Sequence, residues 1–215
     1  MLDFHEGKGK RIVKDSVLYE DSSPIYLEAE ISLLVLEANK HPLLYTEAAC
    51  KGHFGIFLKY REIFVVSDGE LFLESTGKPM EEAFPDLDIQ NGKFFYARGD
   101  IRLVISDCYE GNRLDGRLSE WVKQRSDRVH IEPNTECSDS GRGIAVILSP
   151  NISQWVRDEA PNYPLIKIRR YTFEELLKLN QDRRKTISEL YGFFKQEVNV
   201  NQSFSSLLAP KNYYA

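Results

Sequence analysis

Ile101-Arg-Leu-Val-Ile-Ser106, then Leu114–Arg125, then Arg128-Val-His-Ile-Glu132 read in turn as strand, helix and strand. The first and last runs are rich in β-branched residues. Between them Leu114, Leu118, Trp121 and Val122 return to one face of a helix, although Gly116 weakens that helix. A second unit of the same kind follows. Ile144-Ala-Val-Ile-Leu-Ser149 leads into a helix over Ile152–Glu159 that carries Ile152, Trp155 and Val156, and Leu165–Arg169 is the next strand. Strands that feed directly into amphipathic helices are how an open α/β sheet is written, and in such sheets ligands gather at the carboxyl ends of the strands. The C-terminal half is therefore expected to be α/β and three-layered.

Working outward, the N-terminal half is β-rich. Ile63-Phe-Val-Val-Ser67 and Glu70-Leu-Phe-Leu-Glu74 flank Asp68-Gly69, a pair that tolerates the positive φ angles of a tight turn, so a hairpin is expected, with Phe57 and its neighbours alongside. A second hairpin is expected from Phe94–Arg98, a Gly99-Asp100 turn and Ile101–Ser106. Thr76–Gly92, with its prolines and glycines, reads as a loop holding a short helix near Met80–Phe84. Ser23–Ala38 fits both periods. Leu27, Ile31, Leu34, Val35 and Ala38 make a helical stripe, while Ile25, Leu27, Ala29, Ile31, Leu33 and Val35 alternate. Length and composition favour a helix capped by Ser23 with Pro24 at its first position. Thr172 and Glu175 form a capping box for a last helix through Phe194. The whole is an α+β chain: a β-rich unit over residues 1–99, an α/β unit over 100–197 and a loose tail over 198–215.

Composition bounds the chemistry. The chain has 215 residues, 42% hydrophobic and 28% charged, within the range of folded proteins that bury a core. No apolar run approaches the roughly 18 residues of a membrane span, and the N-terminus lacks the pattern of a secretory signal. Cys50, Cys108 and Cys137 are odd in number and widely spaced, which fits a reducing compartment and a cytoplasmic location. The net charge of −5 argues against a generic nucleic-acid or anionic-membrane binder. Residues 1–100 carry 11 basic against 18 acidic side chains, and residues 101–215 carry 17 against 15. Arg183-Arg-Lys185 is the strongest basic cluster and reads as a solvated helix face.

No cofactor or metal motif is complete. Gly141-Arg-Gly143 precedes a strand, where phosphate loops place their glycines between strand and helix. His5, His41, His53 and His130 lack metal-ligand spacing. Cys108 has acidic neighbours, which oppose a nucleophilic thiolate, and Ser149 has no nucleophile elbow.

Two short stretches resemble known families. Val104-Ile-Ser106, Leu114, Leu118 and Arg128–Glu132 resemble the first strand, first helix and second strand of a TIR domain. Val146-Ile-Leu-Ser-Pro150, then Ser153-Gln-Trp155-Val156 and Glu159, resembles that family's serine-ending strand, S-x-W and downstream glutamate. The resemblance covers roughly residues 100–170, and only Pro133–Gly143 stands where the family places a further helix. It implies an intracellular signalling or defence module with NAD as substrate. Glu159 would be the catalytic carboxylate in cleaving the nicotinamide–ribose bond, Trp155 would anchor its helix, and Ser106 and Asp107 would line the substrate crevice. A carboxylate suits that reaction, whose transition state is oxocarbenium-like. A parallel strand order would support this reading. The same region is also similar to the closing segment of Mrr-type restriction nucleases, with Asp100 and Glu132 as candidate acids. Pro133-Asn134 follows Glu132, however, where a lysine is needed, so this resemblance implies a degenerate nuclease fold that binds nucleic acid. A third expectation is a non-catalytic interaction or assembly subunit, through self-association or a protein partner, motivated by 12 Phe, 11 Tyr and 2 Trp.

Overall fold

The structure is a computed structural model that describes residues 8, 11–14, 17–20, 23–25, 27, 29–58, 61–67, 71–73, 78–79, 82, 85, 94–97, 99–134, 141–148, 166–171 and 173–208. In chain order the elements are β1 (Arg11–Lys14), β2 (Val17–Glu20), β3 (Ser23–Pro24), α1 (Ala29–Lys40), β4 (Leu44–Cys50), β5 (His53–Leu58), β6 (Arg61–Ser67) and β7 (Leu71–Leu73). There follow β8 (Phe94–Ala97), β9 (Gly99–Ser106), α2 (Tyr109–Lys123), β10 (Val129–Pro133), β11 (Gly141–Leu148), β12 (Ile166–Tyr171) and α3 (Phe173–Leu208). The class is mixed α+β, and no described helix is long and apolar enough to cross a membrane.

The expected β9–α2–β10 unit forms, but its two strands are not neighbours. The sheet order is β10-β11-β9-β4, and every pairing is antiparallel. Strand β11 inserts between β9 and β10, aligning Gly141–Leu148 with Ser106–Gly99 along its full length. The physical reason lies in β11 itself, which is buried at every position from Gly143 to Leu148 and so occupies a central place between two neighbours. The parallel order that would support the TIR resemblance is thus not found among the described pairings.

One face of this sheet carries the core. Ile101, Leu103 and Ile105 alternate along β9, and Ile144, Val146 and Leu148 along β11, all no more than 2% exposed. They meet Leu114, Leu118 and Val122 of α2, Ile31, Leu34 and Ala38 of α1, and Ile187, Leu190 and Phe194 of α3 in a single apolar cluster. Period-two strands and period-3.6 helices bury their stripes against each other, at about 1.5–3 kcal/mol for each large aliphatic side chain.

Several expectations change. The β6–β7 hairpin forms as expected, with Ser67 opposite Leu71. The second hairpin does not: β8 joins a five-stranded sheet, β12-β8-β5-β6-β7, while β9 joins the four-stranded one. Gly99 is needed for close approach instead of a turn, since a Cβ there would lie 2.6 Å from the Lys51 carbonyl oxygen. Ser23 and Pro24 pair with β2, and the helix starts at Ala29. Proline lacks an N–H and restrains the residue before it to extended backbone, so it suits this short edge as well as a helix start. Residues 198–208, read as part of a loose tail, continue α3 to Leu208. Backbone pairing spans the two sequence halves: β4 lies beside β9, and β12 lies beside β8. The helix expected over Ile152–Glu159, the cap at Thr172 and most of Thr76–Gly92 lie outside the described residues.

Candidate interaction surface

The β9–α2 turn holds the first two of the sequence-derived site residues. Ser106 is half-buried at the end of an inner strand, its N–H donating to the Leu43 carbonyl at 2.9 Å, and Asp107 beside it is exposed. Cys108 caps α2, its Sγ accepting from the Gly111 N–H at 3.3 Å. Tyr109 follows, 71% exposed, with the Arg113 guanidinium 5.9 Å from its ring centre. Trp155 and Glu159 lie outside the described residues, so of that set the structure places only the consecutive Ser106 and Asp107.

The nuclease-type acids do not converge. Asp100 and Glu132 stand on β9 and β10 with β11 between them, about 10 Å or more apart across two strand spacings. Asp100 accepts from Arg102 Nε at 3.2 Å, and Glu132 Oε1 lies 2.9 Å from His130 Nε2. Among the described residues no group of three or more His, Cys, Asp or Glu side chains is placed to hold a metal ion.

A different feature is built by α1 and α3. They pack side by side and leave a groove of about 270 Å³, lined by Glu30, Leu33, Leu34, Arg184, Ile187, Ser188 and Tyr191. Leu34 and Ile187 form its buried floor. Leu33 stands on the rim, 65% exposed, and the half-buried Tyr191 lines the α3 side with Lys195 Nζ 5.8 Å from its ring centre. The helical period explains this. Leu34 belongs to the core stripe of Ile31, Leu34, Val35 and Ala38, and Leu33 is turned away from it by one residue.

Buried polar groups tie the two helices together beside the groove and again beyond it. Beside it, the Arg183 guanidinium donates to the Gly52 carbonyl at 2.8 Å, to Glu30 Oε2 at 2.6 Å and to Asn180 Oδ1 at 2.7 Å. Arg184 reaches the other oxygen of Glu30 at 3.2 Å. Arg183 is only 4% exposed, which corrects the reading of Arg183–Lys185 as a wholly solvated face; Arg184 and Lys185 are exposed.

Beyond the groove stands His41, fully buried just after α1. Its Nε2 lies 2.6 Å from the Asn201 amide nitrogen of α3, and its Nδ1 accepts from the Leu43 N–H at 3.2 Å. Burial holds its pKa down to about 4; Glu197 opposes this and the nearby Lys8 and Arg117 add to it. Nδ1 already accepts from the Leu43 N–H, so a second proton placed there would set donor against donor. Lys8, lowered to about 8 by burial, donates to the Asn39 carbonyl. The Asn39 side chain in turn spans α1 and β4 through Val35 O at 2.8 Å and Thr46 Oγ1 at 2.6 Å. Arg117 of α2 forms a two-pronged pair with Glu197 of α3 at 2.8 and 2.6 Å.

Sequence reasoning did not single out Leu33, Tyr191 or His41 as a site. Leu33 fitted the alternation of a strand in the ambiguous segment, and only the helical assignment turns it outward. No family model, no curated protein and no solved structure matches this chain.

Proposed function

We propose that this chain is a non-catalytic interaction or assembly subunit that makes its contact through the α1–α3 groove. The observation that carries the reading is Leu33, a leucine left 65% exposed on the rim of an apolar groove between two clamped helices. Covering it would contribute about 1.5–3 kcal/mol, an ordinary value for an anchor side chain at an interface. The buried ties at Arg183 and His41 keep the groove walls in place before any partner arrives, which lowers the cost of ordering them on binding. A photo-reactive amino acid placed at position 33 should give a discrete protein adduct in the native cell. The same group at Ser119, exposed on α2, should not. Equal labelling at the two positions sinks the reading.

A TIR-type NAD hydrolase acting in signalling or defence is the second reading, supported by Ser106 and Asp107 standing together where an inner strand ends. It requires Glu159 as the catalytic carboxylate. Nicotinamide release from NAD by concentrated protein, lost in Glu159→Ala, is its test. Absence of release from the wild-type chain ends that reading for the isolated protein.

A further inference from the structure

We infer that the crossing between the two sheets, at Lys51-Gly52 on one strand and Gly99 on the other, is a hinge, and that Arg183 is the latch that fixes it. Strands β4 and β5 follow each other directly, as do β8 and β9, and their pairing keeps one register from sheet to sheet. Ala48 faces Arg102 and Cys50 faces Asp100 in the four-stranded sheet. His53 faces Ala97 and Ile56 faces Phe94 in the five-stranded one, so each step along one strand is matched by one step back along the other. A single antiparallel ribbon therefore serves both sheets. It changes sheets where Lys51-Gly52 lies beside Gly99.

Both sides of the crossing carry a glycine for a local reason. Gly52 has a φ of 82°, a left-handed value that cannot continue an extended strand, so the ribbon turns there. A Cβ on Gly99 would lie 2.6 Å from the Lys51 carbonyl oxygen and 2.9 Å from that of Cys50. Strands that pass from one sheet to another do so at such bends, and glycine absorbs a change of φ and ψ there at low cost. Gly52 belongs to neither ladder. Its N–H donates to Cys50 Sγ at 3.4 Å, and its carbonyl accepts from the buried Arg183 at 2.8 Å. The same guanidinium donates to Glu30 of α1 and Asn180 of α3, so one side chain fastens the turn to both helices. Those helices pack on the core of the four-stranded sheet. Removing Arg183 frees the turn from them while both ladders stay paired. A fixed corner would keep its geometry without the latch.

Distances between spin labels on unnatural side chains at Ser119 of α2 and Glu62 of β6, measured in the full chain by pulsed electron paramagnetic resonance, test this. The wild type should give one narrow distribution, and Arg184→Ala should leave it narrow. Arg183→Met should broaden it at least two-fold. Should that variant not fold, Arg183→Lys takes its place with the same expectation, since it keeps a cation beside Glu30 but lacks the fork that reaches three acceptors. Amide exchange separates hinge release from general loosening. It should quicken several-fold more at Gly52 and His53 than within the two sheets, at Leu103 and Gly55. A folded Arg183 variant with the wild-type distribution overturns the proposal. So does a wild type as broad as the variant, or exchange that quickens equally at all four amides.

Discussion

Gly111 and Gly116 sit five residues apart on α2 and answer to opposite constraints. A Cβ on Gly111 would lie 1.9 Å from the Ser106 carbonyl oxygen, whereas one on Gly116 would meet nothing within 4 Å. Gly111→Ala should therefore cost about 2 kcal/mol or more through strain in the β9–α2 turn. Gly116→Ala should stabilise by about 0.5–1 kcal/mol, as alanine does in an exposed helix interior. Urea midpoints for the two variants check both signs, and a Gly111→Ala protein as stable as the wild type would refute the crowding. Only Gly116 was recognisable in the sequence as a helix weakness. Nothing local distinguishes a glycine that must be a glycine, because the obstructing oxygen belongs to the preceding strand. His41 makes a second residue-scale prediction. Its folded pKa of about 4 lies below the ordinary 6.5, so the unfolded chain binds the extra proton first. The stability it permits is complete above pH 6.5 and is lost as pH falls towards 4, by about 3 kcal/mol in all. His41→Gln should remove this part of the pH dependence in urea titrations. Parallel wild-type and variant curves over pH 7 to 4 would contradict it.

At the scale of the elements, α3 depends on which of its cations is buried. Arg183→Met leaves the buried Gly52 carbonyl without its donor, while Glu30 keeps Arg184, and should cost about 1–3 kcal/mol. Arg184→Ala removes an exposed member of the same cluster and should cost at most about 1 kcal/mol. Thermal or urea unfolding of the pair should show that asymmetry, and equal losses would mean that the cluster acts as one solvated face. The helix itself was legible to Phe194, because Ile187, Leu190 and Phe194 return at helical spacing. Its continuation to Leu208 carries a thinner apolar stripe, in which Val198 is buried and Val200 is half-exposed. The start of α1 was misplaced for a related reason. Ser23-Pro24 suits a helix start and a short edge strand equally, and the pairing with Tyr19 and Glu20 selects the second.

For the whole molecule, contact through the α1–α3 groove should depend little on salt, because Glu30 already pairs with Arg183 and Arg184 within the chain and Leu33 is apolar. Adduct yield at position 33 should stay the same between about 0.05 and 0.5 M salt, and its loss at the higher salt would mean that charge holds the contact. Among the described residues from Ile101 to Phe194, the amino-acid sequence by itself determined which segments become strands and helices, and which side of each is apolar. The period of side chains along a single element is a local property. It also placed Ser106 and Asp107 where a strand ends and a helix begins. Only the tertiary structure decided that β11 separates β9 from β10, that β8 and β9 part into different sheets, and that Arg183 is buried while Arg184 is not. Those outcomes depend on pairings between residues far apart in the chain, where several registers bury similar apolar area. The competition is settled by how all the faces close around one core.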